Sequence, residues 1–408
     1  MKSSGQRLIN QEIDKRVVIR PDKQMKRVSE GVHAVMSLGE NNDYPQIMEK
    51  LIEGSITAKS SANIYAKFLA GAGFENESIN KIQIGTDSRG KKITIQSLLR
   101  QVTNSISRNQ GAYIFCGISQ DGRVMKAHLK PFKICRYGSS DDTGYSPMIL
   151  TYNNWEKDRE NKIKEDPKVF NVFNLDTVVL KSQFEKAGGF NKFKGQIYSL
   201  FTDTEYFYPL STYDSVYLDC DTEAQLSLFR NRQVRNGFAK KTIARIAEGK
   251  SEEDESELVR DLRQTLGPGG DNLFVIRDTV DENGELSDKT GIAFSQLDDS
   301  ITDDKYKNWP EEISNNIRKA ANNIPKVLID YESGTLGSGS GEIIEIGANF
   351  YNAITKDTRT EIGEAFGEIF TNFNNEILKN NTNWKIKPLN LIEQEKDGIT
   401  DTSTTASE

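Results

Sequence analysis

The apolar positions along the chain change period several times, and each change predicts an element. Over 44–74, "YPQIMEKLIEGSITAKSSANIYAKFLAGAGF" predicts two helices. Asn42 or Asp43 is placed to cap the first near Pro45, and Gly54 ends it. Ile56, Ile64, Phe68 and Leu69 form the stripe of the second, which stops at Gly71 and Gly73. Another helix is expected at "TIQSLLRQVTNSISRNQ" (94–110). The pattern then turns to strands in "AYIFCGISQDGRVMKAHLKPFKICRYG" (112–138), where Asp121-Gly122 signals a two-residue hairpin turn with positive φ at both central residues. "PMILTYN" and "KVFNVFNL" read as strands, and "GQIYSLFTDTEYFYPL" as an aromatic-rich pair.

The second half begins with a short helix in "TEAQLSLFRNRQVRNGF", ending at Gly237 with Arg230, Arg232 and Arg235 near its C-terminus, where the helix dipole favours cations. A strand ("KKTIARIA"), a helix capped by Ser251, then a strand, an Asn283-Gly284 turn and a final strand predict a compact αβ insert over 237–297. "WPEEISNNIRKAANNIP" is a helix opened by Pro310 and closed before Pro325. After a glycine-rich stretch, Ile343, Ile346, Phe350, Ile354, Ile362, Phe366, Ile369, Phe373 and Ile377 fall on one face, predicting one long amphipathic helix over 342–380. Residues 1–40 read as a polar arm with basic patches, and the polar segment after Trp384 as disordered. Together these elements predict an α+β chain.

Charge and composition narrow the function classes. Asp plus Glu exceed Lys plus Arg by 60 to 53, giving a net charge of -7 over 408 residues. That balance argues against gripping nucleic acid over the whole surface, and is compatible with letting it pass. Cys116, Cys135 and Cys220 are odd in number and far apart, so neither a disulfide framework nor a zinc ribbon is supported. The N-terminal residues lack a signal-peptide apolar region, and no apolar run is long enough to cross a membrane, so a soluble intracellular product is expected. Only His33 and His128 are present, which removes most histidine-based chemistry.

Candidate chemistry is thin. "SGTLGSGSG" (Ser333, Gly334, Thr335, Leu336, Gly337, Ser338, Gly339, Ser340, Gly341) has the glycines of a phosphate cradle but no P-loop lysine, and not the spacing of a dinucleotide fingerprint. A mobile loop between helices is the better reading; a nucleotide-binding enzyme using this loop is the alternative. "DENGELSDK" lacks the ligand spacing of an EF-hand and reads as a turn. Asp219 with Asp221, and Asp141 with Asp142, are magnesium candidates only if apposed. "SEEDESE", with Glu252, Glu253, Asp254 and Glu255, is either a solvated helix start or a protein contact. Arg230, Arg232, Arg235, Lys240 and Lys241 either touch phosphates or solvate a helix end. No nucleophile, base and orienting group assemble, so no enzyme, cofactor or metal is expected.

The order of parts resembles the portal proteins of tailed bacteriophages, those of Bacteroidetes-type phages in particular. Asn42, Tyr44, Pro45, Gly71, Gly73 and Phe74 match the family's opening helices and "G-x-Gf" turn. Leu129, Pro131, Phe132, Arg136 and Gly138 in "HLKPFKICRYG" resemble its "lpf-x-x-vR-x-g" strand, and "NWEKD" the segment that follows. Asn236 and Gly237 match a helix-ending turn, and "NNIPKVLIDYESGTLGSGSGEI" its proline segment and glycine-rich loop. The chain departs from the pattern at Lys326, where a second proline is usual, and at Asp357 and Thr358, where a proline commonly precedes the last helix's arginine.

The resemblance implies a portal fold assembled as a ring, typically dodecameric, in the virion at one capsid vertex; another ring-forming capsid connector is the alternative. Duplex DNA enters and leaves through its channel. It implies an arm (1–40), a wing (41–218), a stem helix (219–236), a clip (237–297), a second stem helix (298–325), a tunnel loop (326–341), a long wing helix (342–380) and a tail or crown (381–408). DNA would pass residues 333–341 and the basic Arg230, Arg232, Arg235, Lys240, Lys241, Arg318 and Lys319. The acidic run 252–255 would help dock the large terminase subunit and a head-completion protein. The major capsid protein would surround the ring, with no membrane involved.

Overall fold

The computed structural model describes residues 35–39, 41–87, 89–140, 144–153, 155, 167–235, 242–247, 273–278, 292–296, 308–330 and 340–391, with backbone only for 232–235, 340–341 and the three strands between 242 and 296. Two helices open it: α1 (Tyr44–Gly54) and α2 (Ile56–Ala70). Pro45 stands in the first turn of α1, where its missing N–H costs nothing. Asp43 occupies the cap position but makes no side-chain capping bond, while the Asn42 side chain accepts from Leu38 N instead. The two helices meet at Ser55, whose hydroxyl accepts from Ala58 N at 3.0 Å and caps α2. The buried face of α2 is not the expected stripe: Ile56 is exposed, and Ala58, Ala62, Tyr65, Phe68 and Leu69 form the core side.

A one-turn helix α3 (Glu77–Asn80) and a small ribbon β1 (Gln83–Thr86) and β2 (Lys92–Thr94) lead into α4 (Ile95–Asn109). A reciprocal Thr94–Ser97 capping box starts α4. Strands β3 (Gly111–Ile118), β4 (Val124–Lys130), β5 (Cys135–Tyr137), β6 (Met148–Thr151), β7 (Lys168–Val172) and β8 (Gln196–Phe201) form one sheet in the order β4-β3-β8-β7-β6-β5. All neighbours are antiparallel except β7 and β8. The β3–β4 connection is a five-residue loop rather than the expected two-residue turn. Ser119 N donates to Arg123 O and Gly122 N to Ser119 O, and of Asp121 and Gly122 only the glycine takes a positive φ. Helix α5 (Thr177–Lys186), capped by Asp176, precedes β8, and the sequence reading missed it. The expected second strand after β8 is absent: Asp203 accepts from Glu205 N and Leu210 N and folds 202–210 into a loop.

Helix α6 (Tyr217–Arg235) starts five residues before the expected "TEAQ". Strands β9 (Thr242–Ala247), β10 (Leu273–Asp278) and β11 (Ile292–Gln296) follow in the order β10-β9-β11. The strands flanking Asn283-Gly284 therefore do not pair with each other; β9 lies between them, parallel to β10 and antiparallel to β11. Helix α7 (Trp309–Ala320) carries Pro310 in its first turn.

The predicted long helix is two: α8 (Ser340–Ile354) and α9 (Lys356–Phe370), followed by a short α10 (Glu376–Lys379). The break has a side-chain cause. The Asn352 carbonyl accepts from Arg359 Nη2 at 2.7 Å and from Thr355 Oγ1 at 3.4 Å, so side chains intrude on the helical ladder beside Thr355. After Phe370 the chain leaves helix because Val124 N donates to Asn372 O and Asn374 N to Val124 O, tying this segment to the start of β4.

By contact the chain divides into one unit of Met1–Leu218 with Ile317–Glu408 and a second of Asp219–Asn316. In the first, α4 covers β3 and β4, and α2 packs on α4 and α9. Two terminal expectations are corrected there. Met36 N donates to Tyr137 O and Val35 bridges Gly138, so the end of the predicted arm extends the sheet edge. Trp384 and Ile386 are buried, and Lys387 N donates to Gly73 O, so the start of the predicted tail belongs to the core.

Candidate assembly interface

In helix α8 burial and sequence pattern disagree. Its inner side is well packed. Ala348 and Tyr351 are buried, the Tyr351 hydroxyl donates to Ala321 O at 3.0 Å, and a Cβ at Gly347 would stand 2.9 Å from Val327. A second face carries Ile343 at 51%, Ile346 at 61%, Phe350 at 47% and Ile354 at 40% exposure. At about 100° per residue these four fall within an arc of roughly 80°. In α9 the continuation of the same stripe, Ile362, Phe366 and Ile369, is fully buried. One sequence period thus serves the chain's own core in α9 and faces outward in α8. A contiguous apolar helix face left uncovered marks an interaction surface.

Of the residues that carry the resemblance, Arg136, Tyr44, Gly71, Gly73 and Phe74 hold buried or close-packed positions. Arg136 is completely buried, and its guanidinium donates to Asn42 Oδ1, to Asn42 O at 2.8 Å and to Cys135 O at 2.7 Å. It also lies over the Trp155 ring, 5.7 Å from its centre, while burial lowers its pKa. The Tyr44 hydroxyl donates to Asp214 and accepts from Ser211 N, and burial with the Asp214 charge pushes its pKa far up. Gly71 and Gly73 run against 384–388, where a Cβ on Gly71 would stand 1.9 Å from the Lys387 carbonyl oxygen. Phe74 packs edge-on to Trp384 and beside Phe366 of α9. These positions fix architecture rather than form a reactive site.

The predicted DNA-facing residues scatter. Arg230 is exposed on α6, and Arg232 and Arg235 lie in its last turn. Lys319 is exposed on α7. Arg318 is 7% exposed and shares the inner side of α7 with Ile317. Ser340 and Gly341 are the first residues of α8, not loop. Residues 333–339, Lys240, Lys241, Glu252, Glu253, Asp254 and Glu255 lie outside the described residues. Asp219 and Asp221 sit two apart in α6, a spacing that turns their side chains away from each other. Asp141 and Asp142 are outside the described residues.

Other titratable groups serve packing. Cys116, Cys135 and Cys220 are buried and form no disulfide; burial pushes Cys135 up to about 12 and Cys116 further. His128 stacks on Phe115 at 4.7 Å, and burial with Lys130 and Lys126 lowers its pKa from 6.5 to about 4. Among the described residues no three His, Cys, Asp or Glu side chains are grouped to hold a metal, and no helix is long and apolar enough to cross a membrane.

No family model matches the chain, and no curated protein does. Solved structures of similar shape include the neck of an empty gene transfer agent particle, at TM-score 0.48 and 12% identity over 81% of this chain and 82% of that one. A chain of a native gene transfer agent virion gives TM-score 0.49 and 12% identity, covering 86% and 83%. An HK97-family phage portal protein from Corynebacterium diphtheriae gives 0.43 and 9%, covering 78% and 89%.

Proposed function

We propose that the chain is a portal subunit, which assembles with copies of itself into a ring at one capsid vertex. Duplex DNA passes through the ring's centre, and the packaging motor and later a head-completion protein dock on it. The observation that carries this reading is the uncovered stripe of Ile343, Ile346, Phe350 and Ile354 beside a buried continuation of the same period. Contact by one face of each copy with a different face of the next is a heterologous contact, which closes into a ring when the rotation allows.

Two further features support it. A second compact unit, Asp219–Asn316, interrupts the first in sequence, as a stem and clip inserted into a wing would. The uncharged Gly, Ser and Thr side chains of 333–341 suit a surface that DNA slides past, because phosphates spaced about every 1.7 Å of duplex would be held by a dense basic lining. Electron microscopy of the purified chain tests the proposal. Rings with a hole wide enough for duplex DNA are expected; a homogeneous monomer at every accessible concentration would overturn it.

A further inference from the structure

Away from α8, one face of the large sheet carries a cluster of cations with a different character from the rest of the surface. By strand alternation Lys126, His128 and Lys130 of β4 lie on the same side as Phe115 of β3 and Phe170 of β7, with Lys168 two residues before Phe170. Lys130 Nζ stands 5.4 Å from the Phe115 ring centre and 5.5 Å from that of Phe170. Lys126 Nζ is 5.9 Å from Phe115, so two ammoniums share one ring. The seat is built: Lys126 lies along Gly117, where a Cβ would come within 2.7 Å of its stem, and the Phe115 ring fits against Gly195, where a Cβ would be 2.8 Å away.

Several other cations of the first unit stand in ion pairs: Lys133 with Glu49, Lys387 with Glu77, Arg108 with Glu53. Lys126, Lys130 and Lys168 have no carboxylate within ion-pair distance among the described residues. The repulsion registers at their neighbours. Burial chiefly lowers the pKa of Lys130, with Lys168 and Lys126 lowering it further, and both charges acting on His128 are lysines. Lysines that merely cover an aromatic face can splay their heads into water. Lys126 and Lys130 crowd one ring and Lys168 acts on Lys130, an arrangement that favours an anion in a chain of net charge -7.

We propose that Lys126, Lys130 and Lys168 form a binding site for phosphate groups, presented either by a nucleic-acid backbone or as free phosphate. Lysine ammoniums bind phosphate as compact point charges, and the aromatic floor excludes water from below them. The site does not depend on ring assembly.

The test uses the full chain with a fluorescein-labelled duplex DNA of random sequence, titrated at several salt concentrations, and in parallel calorimetric titration with inorganic phosphate. Three variants are compared: Lys126→Gln with Lys130→Gln and Lys168→Gln; the exposed pair Lys126→Gln with Lys168→Gln, should loss of half-buried Lys130 disturb folding; and Lys133→Gln, whose ammonium is already paired. For duplex, the slope of log affinity against log salt should become shallower by about 2.7 in the triple variant and about 1.8 in the double, at about 0.9 per phosphate contact, and stay unchanged in the control. Phosphate heat lost in the same variants, without a change in the duplex slope, identifies free phosphate as the source and also supports the site. The proposal is overturned if neither ligand's binding depends on these lysines. It is equally overturned if labelled polyglutamate binds as tightly as duplex and loses as much in the variants, since the cluster would then be an unselective polyanion contact. Ring formation by microscopy, read on the same samples, reports separately on the portal proposal.

Discussion

Replacing Ile346 and Phe350 by alanine separates assembly from folding more cleanly than any other change to this chain. Both side chains are about half exposed, at 61% and 47%, so the isolated subunit gains little from them. Full burial of such a side chain is worth about 1.5–3 kcal/mol, which leaves roughly 1 kcal/mol each to be gained on association. Truncating both therefore costs about 2 kcal/mol per subunit contact, close to 30-fold in its dissociation constant. Sedimentation velocity over a concentration series reads this as a shift of the assembly midpoint. Urea unfolding of dilute monomer should move by less than about 1 kcal/mol, because better helix propensity at alanine offsets the lost partial burial. Asn349→Ala, exposed on α8 but off the stripe, should leave the midpoint in place. An unmoved midpoint in the double variant, with wild type assembling normally, would refute the assignment of this face to a subunit contact. A large loss of monomer stability would refute the premise that the stripe is uncovered in the subunit.

Arg136→Met should destabilise the fold by about 3–5 kcal/mol, because it strands buried acceptors on Asn42 and Cys135; urea unfolding measures it, and a loss under 1 kcal/mol would contradict the network. Gly363→Ala in α9 should lower the unfolding midpoint even though alanine favours helix, since its Cβ would lie 2.5 Å from Trp384 O. His128 has a folded pKa of about 4 against an unfolded value near 6.5, so the unfolded chain binds more protons between them. Its contribution is full above pH 6.5 and is lost as pH falls towards 4; His128→Gln should flatten that part of the stability profile relative to wild type. A thiol reagent should count no cysteine in the native chain and three after denaturation, as all three are buried.

What the sequence made legible follows from the range of the forces involved. Capped helices and proline-opened turns are written locally, so α1, α2 and α4 were readable within a residue or two, and α7 at its start. The break beside Thr355 was not, because it depends on Arg359 reaching back to Asn352 and across to Phe68 O. Nor was the pairing of β9 between β10 and β11, since an Asn-Gly signal specifies a turn and not a partner strand. The packed 384–388 segment was hidden by its polar composition; two buried side chains, Trp384 and Ile386, and backbone pairing with Gly73 hold it.

The same contrast bears on the candidate interface. A nine-member apolar stripe reads in sequence as one buried helix, because periodicity records which residues avoid water and not what covers them. In the fold, Ile362, Phe366 and Ile369 are buried, while Ile343, Ile346, Phe350 and Ile354 are exposed. The strength of the pattern is uniform along the stripe although the burial is not. That mismatch is what a subunit surface looks like when selection acts on the assembled state, where both halves of the stripe are out of water. A helix whose outer face met only solvent would be under no pressure to keep four large apolar side chains in one narrow arc.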